Sequence, residues 1–520
     1  MQKLLGSLNL WVTGFSLFSL TLIQNTKTMT APKEFRGYYW WIIIGIAIAV
    51  AVAVHYSYPR VAKFIRPLLT AKTSKIATHR YIVYLKEEPV IISRKAIIIN
   101  LSSDSSRVKE IDNLRLTKKQ SVIKFCNEHH LAYSDSLIYV DVAVAFVTTL
   151  SEEMAEQFNN QEDNEYSEVS AASIDDPFKL DDPMQQDDPM QQDDPMQQED
   201  EFLSERNLVQ MPAGCNPAQG SCPPPSGKCL TSCAVKAAGG PIKDDDTPNP
   251  NSNFIWIIDT GVGPHTNLPN IVGAPFAKSF IGATWDDDNG HGTHVAGIAA
   301  ATKAKFRIGS IPFCVKLGVS PRAPVVPLKV LDNRGNGIWH NVLGALNHIA
   351  SQYPPRTKDV INLSLGSLDA ALCSSDPANP IGFSSVLTNL ANDGNFIVMA
   401  AGNYRGDAAQ CFPGCLNGNA PLNQNIFTVS AMECNWDCAG YSNYGAPVDI
   451  AAVGSKVFST YRDPARPGVT LFNTLSGTSM AAAVISGVIH AKNSAKPVVG
   501  PRFTICPSAP GREYHPARRN

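Results

Sequence analysis

The sequence predicts an α/β protein preceded by a small α+β module. Its clearest strand is FIWIID at 254–259, whose apolar run indicates a buried strand that ends in Asp259. The segments 286–301 and 474–490 follow, and each leads into a helix rich in small residues. In open α/β sheets the functional site forms beyond the carboxyl ends of the strands, which makes Asp259 a candidate site residue.

Composition excludes two broad classes of protein. With 520 residues, 44 % hydrophobic and 17 % charged, the chain is long enough for several domains and too apolar to be mostly disordered. The net charge is −2, so no overall basic field favours a nucleic-acid partner. Twelve cysteines, several of them closely spaced, indicate an oxidising compartment.

Two apolar stretches open the chain. Residues 1–37 form an N-terminal segment with a candidate signal core, and residues 38–55 read YYWWIIIGIAIAVAVAVH. The latter span about 27 Å as a helix, close to the thickness of a bilayer core. We predict a signal anchor that contacts the membrane, or a signal peptide, with a buried core helix as the alternative. Either signal predicts the secretory pathway, with a membrane-anchored precursor or an extracellular protein.

The next module, residues 80–169, mixes strand and helix patterns. RYIVYL and IIIN read as strands, residues 108–126 as a charged helix, and IYVDVAVAFV as a further strand. In SEEMAEQF, Ser151 precedes acids in a first helical turn and is the predicted N-cap. This order predicts a small α+β domain.

Two segments of biased composition follow the module. Residues 170–206 carry DDPMQQ three times, with a period that suits neither helix nor strand, and we predict an acidic, solvated linker. An acidic tract that binds calcium or a partner is the rival interpretation. Residues 207–250 are rich in Cys and Pro. Their C-x6-C-x6-C-x3-C spacing lacks the short pairs of a zinc site, so we predict disulfides instead.

Three segments carry the candidate chemistry: IIDTGVG with Asp259, DDDNGHGTHVAG with His291, and TLSGTSMAAA with Ser479. Glycines around His291 leave room for its imidazole, and Ser479 opens a helix whose macrodipole places positive charge beside it. Alternatively, Asp259 merely ends a strand and Ser479 is merely an N-cap. His294 lies three residues after His291, so the pair could bind a metal. No H-E-x-x-H glutamate accompanies them, and we predict that His294 packs in the core.

Together these segments resemble the three signatures of subtilisin-like serine proteases, the subtilases, in the order Asp, His, Ser. LKVLDNRGNG, VINLSLG and MAAGN add further similarity. The resemblance implies a three-layer fold with a mostly parallel central sheet and a serine endopeptidase. We place the peptidase domain at 251–495 and leave 496–520 as a tail of uncertain status. RYIVYLK and FVTTLSEEMAEQF resemble the family's inhibitory propeptide, which implies that 80–169 is an intramolecular inhibitor within a zymogen.

The resemblance also implies the roles of four residues. Ser479 is the expected nucleophile, His291 the general base, and Asp259 the residue that orients the imidazole. Asn403 is the expected oxyanion donor. A catalytically inactive binding or scaffold relative is the alternative, although all four positions are filled.

For substrate binding the resemblance implies two strand edges and a pocket that would hold protein or peptide substrates. The implied residues are Gly335, Gly337, Ser364, Leu365, Gly366, Ala400, Ala401 and Gly402.

No cofactor is expected for the chemistry, but a structural calcium ion is a candidate. Asp449 matches a calcium-binding position of the proteinase K branch, and the carbonyls of Gln424 and Ile426 would complete the site. Alternatively, Asp449 simply ends a strand.

Two departures from the family pattern stand near the carboxyl end of the chain. Ala483 and Val484 occupy the positions where the family usually has Pro-His, and the tail after Ala491 has no apolar periodicity.

Overall fold

The computed structural model describes most of the chain beyond residue 77, in these ranges: 78–86, 104–159, 169–175, 177–180, 203–204, 229–241, 249, 251–308, 311–352, 354–373, 382–417, 423–466, 469–499 and 517–518. The predicted signal segments, the IIIN strand, the DDPMQQ repeats and the first two cysteines of the Cys-rich segment lie outside them. Within the described ranges, every helix is too short or too polar to cross a bilayer.

A seven-stranded sheet forms the centre of the fold, and every neighbouring pair in it is parallel. In order across the sheet, the strands are β19 (Ile450–Val453), β18 (Ile426–Met432), β16 (Phe396–Ala400), β14 (Val360–Leu363), β8 (Ile255–Asp259), β12 (Val325–Lys329) and β9 (Lys278–Ser279). The predicted mostly parallel sheet is therefore confirmed.

Helices cover both faces of this sheet. Alternate residues of β8 enter opposite cores, Ile257 on one face and Trp256 on the other, as the strand period of two requires. The Ile257 face is covered by α4 (His291–Ala300) and α8 (Thr478–Ala491), and the Trp256 face by α5 (Trp339–Ala350) and α7 (Phe383–Asn392). These are the three predicted layers. Burial on both faces explains why the strands read as continuous apolar runs.

The α+β module is a four-stranded antiparallel sheet with two helices and its own core. Its elements are β1 (Thr78–Leu85), α1 (Asp104–Glu128), β2 (Ile138–Tyr139), β3 (Ala145–Ser151), α2 (Glu152–Asn159) and β4 (Val169–Ile174). Ser151 is the N-cap, as predicted, because its Oγ accepts a hydrogen bond from Met154 N at 3.2 Å.

Two predictions about this module were wrong. IYVDVAVAFV is not one strand but two, β2 and β3, which pair antiparallel with Ile138 opposite Phe146. Bends at 141–144 separate them, where the N–H groups of Asp141 and Val142 donate to Asn347 Oδ1 at 2.9 and 3.2 Å. The boundary at 169 was also too early. β4 continues to Ile174 as the edge strand beside β1, and an edge strand needs few large apolar residues.

The other short elements surround the peptidase core. They are β5 (Pro177–Lys179), β6 (Leu203–Ser204), β7 (Cys229–Thr231), α3 (Cys233–Ala237), β10 (Ala304–Ile308), β11 (Ile311–Lys316), β13 (Asn336–Ile338), β15 (Ser367–Leu368), α6 (Ala370–Cys373), β17 (Cys411–Phe412), β20 (Val457–Tyr461), β21 (Leu471–Leu475), β22 (Val498–Val499) and β23 (Ala517–Arg518).

Residues 229–241 of the Cys-rich segment pack with the peptidase core, although we predicted that this domain begins at 251. β7 adds to the β10–β11 hairpin, and Ala234 and Val235 of α3 are buried in the core cluster of the α4 and α8 face. Sequence alone hid this because the contacts join residues far apart in the chain.

Disulfides fasten the same segment, as predicted for its cysteines. Three bridges are described: Cys229–Cys314, Cys233–Cys434 and Cys373–Cys415. The first two join the Cys-rich segment to residues 85 and 201 positions further along the chain. Cys126 and Cys411 are the described cysteines that remain thiols, and both are buried.

Buried histidines make stability sensitive to acid. His490 Nε2 lies 3.0 Å from Asn253 O, and Ser320 Oγ lies 2.8 Å from His490 Nδ1, which suits a neutral imidazole that donates from Nε2 and accepts at Nδ1. Burial lowers the pKa of His490 to about 4, and that of His265 to about 4 and His294 to about 3.

A folded-state pKa below the unfolded value of about 6.5 means that the unfolded chain binds the proton first. Stability is therefore fully present above about pH 6.5 and falls as the pH drops towards 4, by up to about 1.4 kcal/mol per pH unit for each histidine. We expect His490→Gln to have a shallower pH dependence of unfolding free energy over this window than the parent. The exposed His130→Gln serves as control, and equal slopes for all three proteins would contradict the assignment.

Candidate active site

Asp259 and His291 form a hydrogen-bonded pair at the carboxyl end of β8. His291 Nδ1 lies 2.8 Å from Asp259 Oδ1, which also accepts a hydrogen bond from Thr260 N at 2.7 Å. The Asp259 side chain is fully buried, whereas that of His291 is 16 % exposed. A proton on Nδ1 that is donated to the carboxylate makes Nε2 the basic nitrogen of the imidazole.

The backbone before His291 requires glycine. Gly290 has φ of 110°, in the left-handed region, and a Cβ there would lie 2.5 Å from Arg462 O. Both conformation and space therefore favour glycine at this position. As a consequence, His291 stands at the first residue of α4 with its ring directed to Asp259.

Asp287 holds this turn in place, and the sequence reasoning missed it. Its buried carboxylate accepts hydrogen bonds from Thr260 Oγ1 (2.8 Å), Asn289 N (3.0 Å), Gly290 N (2.9 Å) and both N and Oγ1 of Thr293 (2.9 and 2.6 Å). Burial raises the pKa of Asp287, and the hydrogen bonds from Thr293, Gly290 and Asn289 oppose the rise. The available signal in the sequence was the spacing of Asp287, Gly290 and Thr293. The N–H of Gly290 and the N–H and hydroxyl of Thr293 can all donate to one carboxylate at Asp287.

Ser479 lies in the first turn of α8, which packs against α4. Its side chain is almost completely buried, and its Oγ donates to Ser364 O at 3.2 Å. Ser364 Oγ in turn donates to Ser479 O at 2.8 Å. The start of α8 is thus joined to the end of β14.

Asn403 and Ser479 present two donors to one small space. The Asn403 Oδ1 accepts from Thr478 N (2.8 Å) and Thr478 Oγ1 (3.0 Å), which leaves the amide nitrogen as the donating end. A Cβ built on Gly477 would lie 3.6 Å from Asn403 Nδ2 and 3.7 Å from Ser479 N. These two N–H groups therefore border the same position, as an oxyanion hole requires. Thr478, which fixes the amide, was also missed.

The expected substrate-binding residues gather around this centre. Ser364, Leu365 and Gly366 follow β14, while Ala400 ends β16. Gly402 N donates to Thr478 Oγ1 at 3.1 Å, which brings the 400–402 turn to the start of α8.

Gly335 and Gly337 form the other predicted edge, and the chain's own β5 lies on it. β5 pairs antiparallel with β13, with Phe178 opposite Gly337, and Leu180 N donates to Gly335 O at 2.8 Å. The Phe178 ring stacks on Trp339 with centroids 4.0 Å apart. A Cβ on Gly337 would lie 2.8 Å from the Phe178 ring, so glycine makes room for this side chain.

His294 packs in the core as predicted. It is fully buried, and its Nε2 lies 3.1 Å from Asn473 O.

Two of the three implied calcium ligands, the Asp449 carboxylate and the Ile426 carbonyl, accept N–H donors in this structure. Asp449 Oδ2 accepts from Thr428 N at 2.7 Å and from Asn417 Nδ2 at 2.5 Å, and the same Asn417 nitrogen lies 3.4 Å from Ile426 O. Burial raises the pKa of Asp449 to about 6, and the two donors oppose that rise. The Gln424 side chain accepts from Lys496 Nζ. As placed, these groups do not fit a calcium ion, because an amide nitrogen stands among the oxygens that would bind it. Across the described ranges, no group of three or more His, Cys, Asp or Glu side chains could hold a metal ion.

A buried carboxylate paired with histidine, a serine at a helix start and two aligned N–H donors, all at the carboxyl edge of a parallel sheet, define a serine hydrolase class of site. The sequence profile described as "Subtilase family" matches residues 253–502. Thermitase of Thermoactinomyces vulgaris is 33 % identical over 238 residues, which are 45 % of this chain and 72 % of that protein. The chain belongs to the subtilase family, and the protein is a serine-type endopeptidase.

The chain is also similar to other proteases. The cuticle-degrading protease of Metarhizium anisopliae is 34 % identical over 45 % of this chain, and the chain spans about half of that protein's length, 52 %. A solved structure of a cold-adapted subtilisin-like serine proteinase has 26 % identity and a TM-score of 0.37, and covers 48 % of this chain and 80 % of its own.

Proposed function

We propose that this protein is an endopeptidase with an Asp259–His291–Ser479 triad, made as a zymogen and matured by propeptide cleavage. The observation that carries the proposal is the 2.8 Å contact between His291 Nδ1 and the buried Asp259 at the end of β8. The helix α8, which begins at Thr478 and contains Ser479, packs against β8 and against α4, the helix of His291. Hydrolysis of casein by the purified protein, abolished by a serine-directed phosphonate, tests it. A folded protein that hydrolyses neither casein nor its own chain would favour the inactive scaffold.

In this mechanism Ser479 Oγ bonds to the scissile carbonyl carbon while His291 Nε2 takes its proton. The carbonyl oxygen becomes an oxyanion, and Asn403 Nδ2 and Ser479 N donate to it. His291 then returns the proton to the leaving amine, and Asp259 stabilises the imidazolium meanwhile. Water hydrolyses the acyl-enzyme by the same steps, and no cofactor takes part.

Substrate binding prepares the nucleophile. Ser479 Oγ donates to Ser364 O, and Ser364 begins the edge on which extended substrate would pair. A substrate N–H that pairs with Ser364 O replaces the Ser479 hydroxyl there, so the hydroxyl can turn to His291.

Asn403→Ala should lower kcat by about 10²–10³ with KM little changed, because its amide donates mainly to the charged transition state. Initial rates on a peptide substrate measure both constants. Asn417→Ala, which alters a buried asparagine away from the nucleophile, controls for general loss of stability. An Asn403→Ala enzyme with altered KM and normal kcat would contradict the oxyanion role.

The α+β module has the contacts expected of an inhibitory propeptide. Asp175, whose side chain is fully buried, accepts from His340 N at 2.9 Å and lies 2.9 Å from His340 Nδ1 and 3.4 Å from Arg80 Nε. It thereby joins the end of β4 to the first turn of α5 at its positive pole. Asn347 Oδ1 accepts from Asp141 N at 2.9 Å in the same interface.

After Asp175 the chain enters the substrate edge as β5 and then becomes the acidic linker. We propose that the enzyme cuts itself between Leu180 and Cys229, in the acidic linker or in the residues that follow it, because β7 and α3 form part of the peptidase core. The proposed mature enzyme therefore keeps at least residues 229–241 of the Cys-rich segment. The two disulfides of the Cys-rich segment and the N-terminal apolar stretches support secretion. Cleavage would release the mature enzyme from any anchor at 38–55.

N-terminal sequencing of the active protein should find a start between residues 181 and 228, and Ser479→Ala should lack that cleavage. Phe178→Ala should slow it, because the ring seats β5 on Trp339. The neighbouring Lys179→Ala removes an exposed side chain and is the matched control. An active form that still carries residues 38–55 would show instead a membrane-tethered protease.

A further inference from the structure

We propose that the side-chain amide of Asn417 takes the place of a calcium ion at Asp449, so that this part of the fold is stabilised without metal. The Asn417 side chain is buried, with 1 % exposure, and its nitrogen donates to Asp449 Oδ2 at 2.5 Å and to Ile426 O at 3.4 Å. One N–H₂ group thus donates hydrogen bonds to two of the three expected calcium ligands, Asp449 and the Ile426 carbonyl.

An amide nitrogen and a calcium ion cannot share this position. Calcium takes six to eight oxygen ligands at about 2.3–2.6 Å, whereas the Asn417 hydrogens point at the same oxygens from hydrogen-bond distance. The N–H₂ group fills the space and supplies positive partial charge to the carboxylate. A hydrogen bond to a charged carboxylate is of the stronger kind, which compensates part of its burial.

The turn that carries Asn417 is fastened on both sides. Asn417 ends the short helical turn Gly414–Asn417, and Cys415 within it is bonded to Cys373. Gly414 O accepts from Thr428 Oγ1 at 2.9 Å, while Thr428 N donates to Asp449. The amide is therefore held against the carboxylate by groups that also belong to β18.

The orientation of the amide distinguishes the proposal from a calcium site. With a bound cation the Asn417 Oδ1 would have to face Asp449, which is repulsive unless the cation lies between the two oxygens. With no cation the Nδ2 end faces Asp449, as in this structure. The two arrangements predict opposite responses to calcium.

Thermal unfolding of the full-length Ser479→Ala chain, which removes autolysis, tests the proposal in calcium chloride and in EGTA. We expect calcium to shift the Tm of the parent and of Asp449→Asn equally, within about 1 °C. Asn417→Asp places two carboxylates together, so its Tm should be lower than the parent's in EGTA and should rise by several degrees with calcium. Asn423→Asp adds a charge at an exposed contact with Asn392 and is the matched control.

A calcium-dependent rise in the parent that Asp449→Asn loses would overturn the proposal, since calcium would then bind at Asp449. Equilibrium dialysis decides the matter if Asp449→Asn does not fold. The proposal requires Asn417→Asp to bind an additional calcium ion relative to the parent. Equal binding by the two proteins would also overturn it.

Discussion

Ser479→Ala and His291→Ala should each lower kcat by about 10⁶, the order found when a triad serine protease loses its nucleophile or base. The double variant should be no worse than either single one, because the two residues act as a unit. Single-turnover and steady-state rates on a chromogenic peptide measure this.

Ser459→Ala is the matched serine control for this prediction. Its hydroxyl is buried and donates to His294 O in α4 at 2.9 Å. The variant therefore perturbs the helix that begins at His291 without changing the candidate nucleophile. We expect Ser459→Ala to keep activity within about tenfold when folded. Normal turnover by Ser479→Ala would remove this serine from the mechanism, and additive losses in the double variant would refute a coupled pair.

Removal of the Cys233–Cys434 bridge, by Ser at both positions, should lower the free energy of unfolding by about 2–5 kcal/mol. The bridge joins residues 201 positions apart and holds α3 against the core. In the chain-entropy view, a longer closed loop restricts the unfolded chain more. Guanidinium unfolding of the full-length Ser479→Ala chain measures the loss.

The Cys373–Cys415 bridge provides the comparison, since it joins residues only 42 positions apart. Its removal should cost about 1.4 kcal/mol less than removal of Cys233–Cys434, from the logarithmic dependence on loop length. The reverse order would indicate that local strain or packing, rather than the entropy of the unfolded chain, determines the contribution of these disulfides.

The residue sequence by itself determined the class of fold, and it predicted the centre of the candidate site. FIWIID indicates a buried strand by its apolar run, and its last residue is expected at the sheet edge where α/β proteins place their sites. Gly290 before His291 and the small residues after Ser479 are local requirements, so they are visible in the sequence. Ser151 as a cap is local in the same way.

Tertiary structure decided the contacts between distant residues. Asp287 is an ordinary acid in sequence, and its role depends on Thr260, which lies 27 positions away. The pairing of Cys233 with Cys434 follows from packing between distant parts of the chain. The same is true of the pairing of β5 with the strand that contains Gly337. Asn417 meets Asp449 only because a fastened turn brings its amide to β18. Hydrogen-bond and disulfide partners are chosen by spatial proximity, which one-dimensional patterns of polarity do not contain.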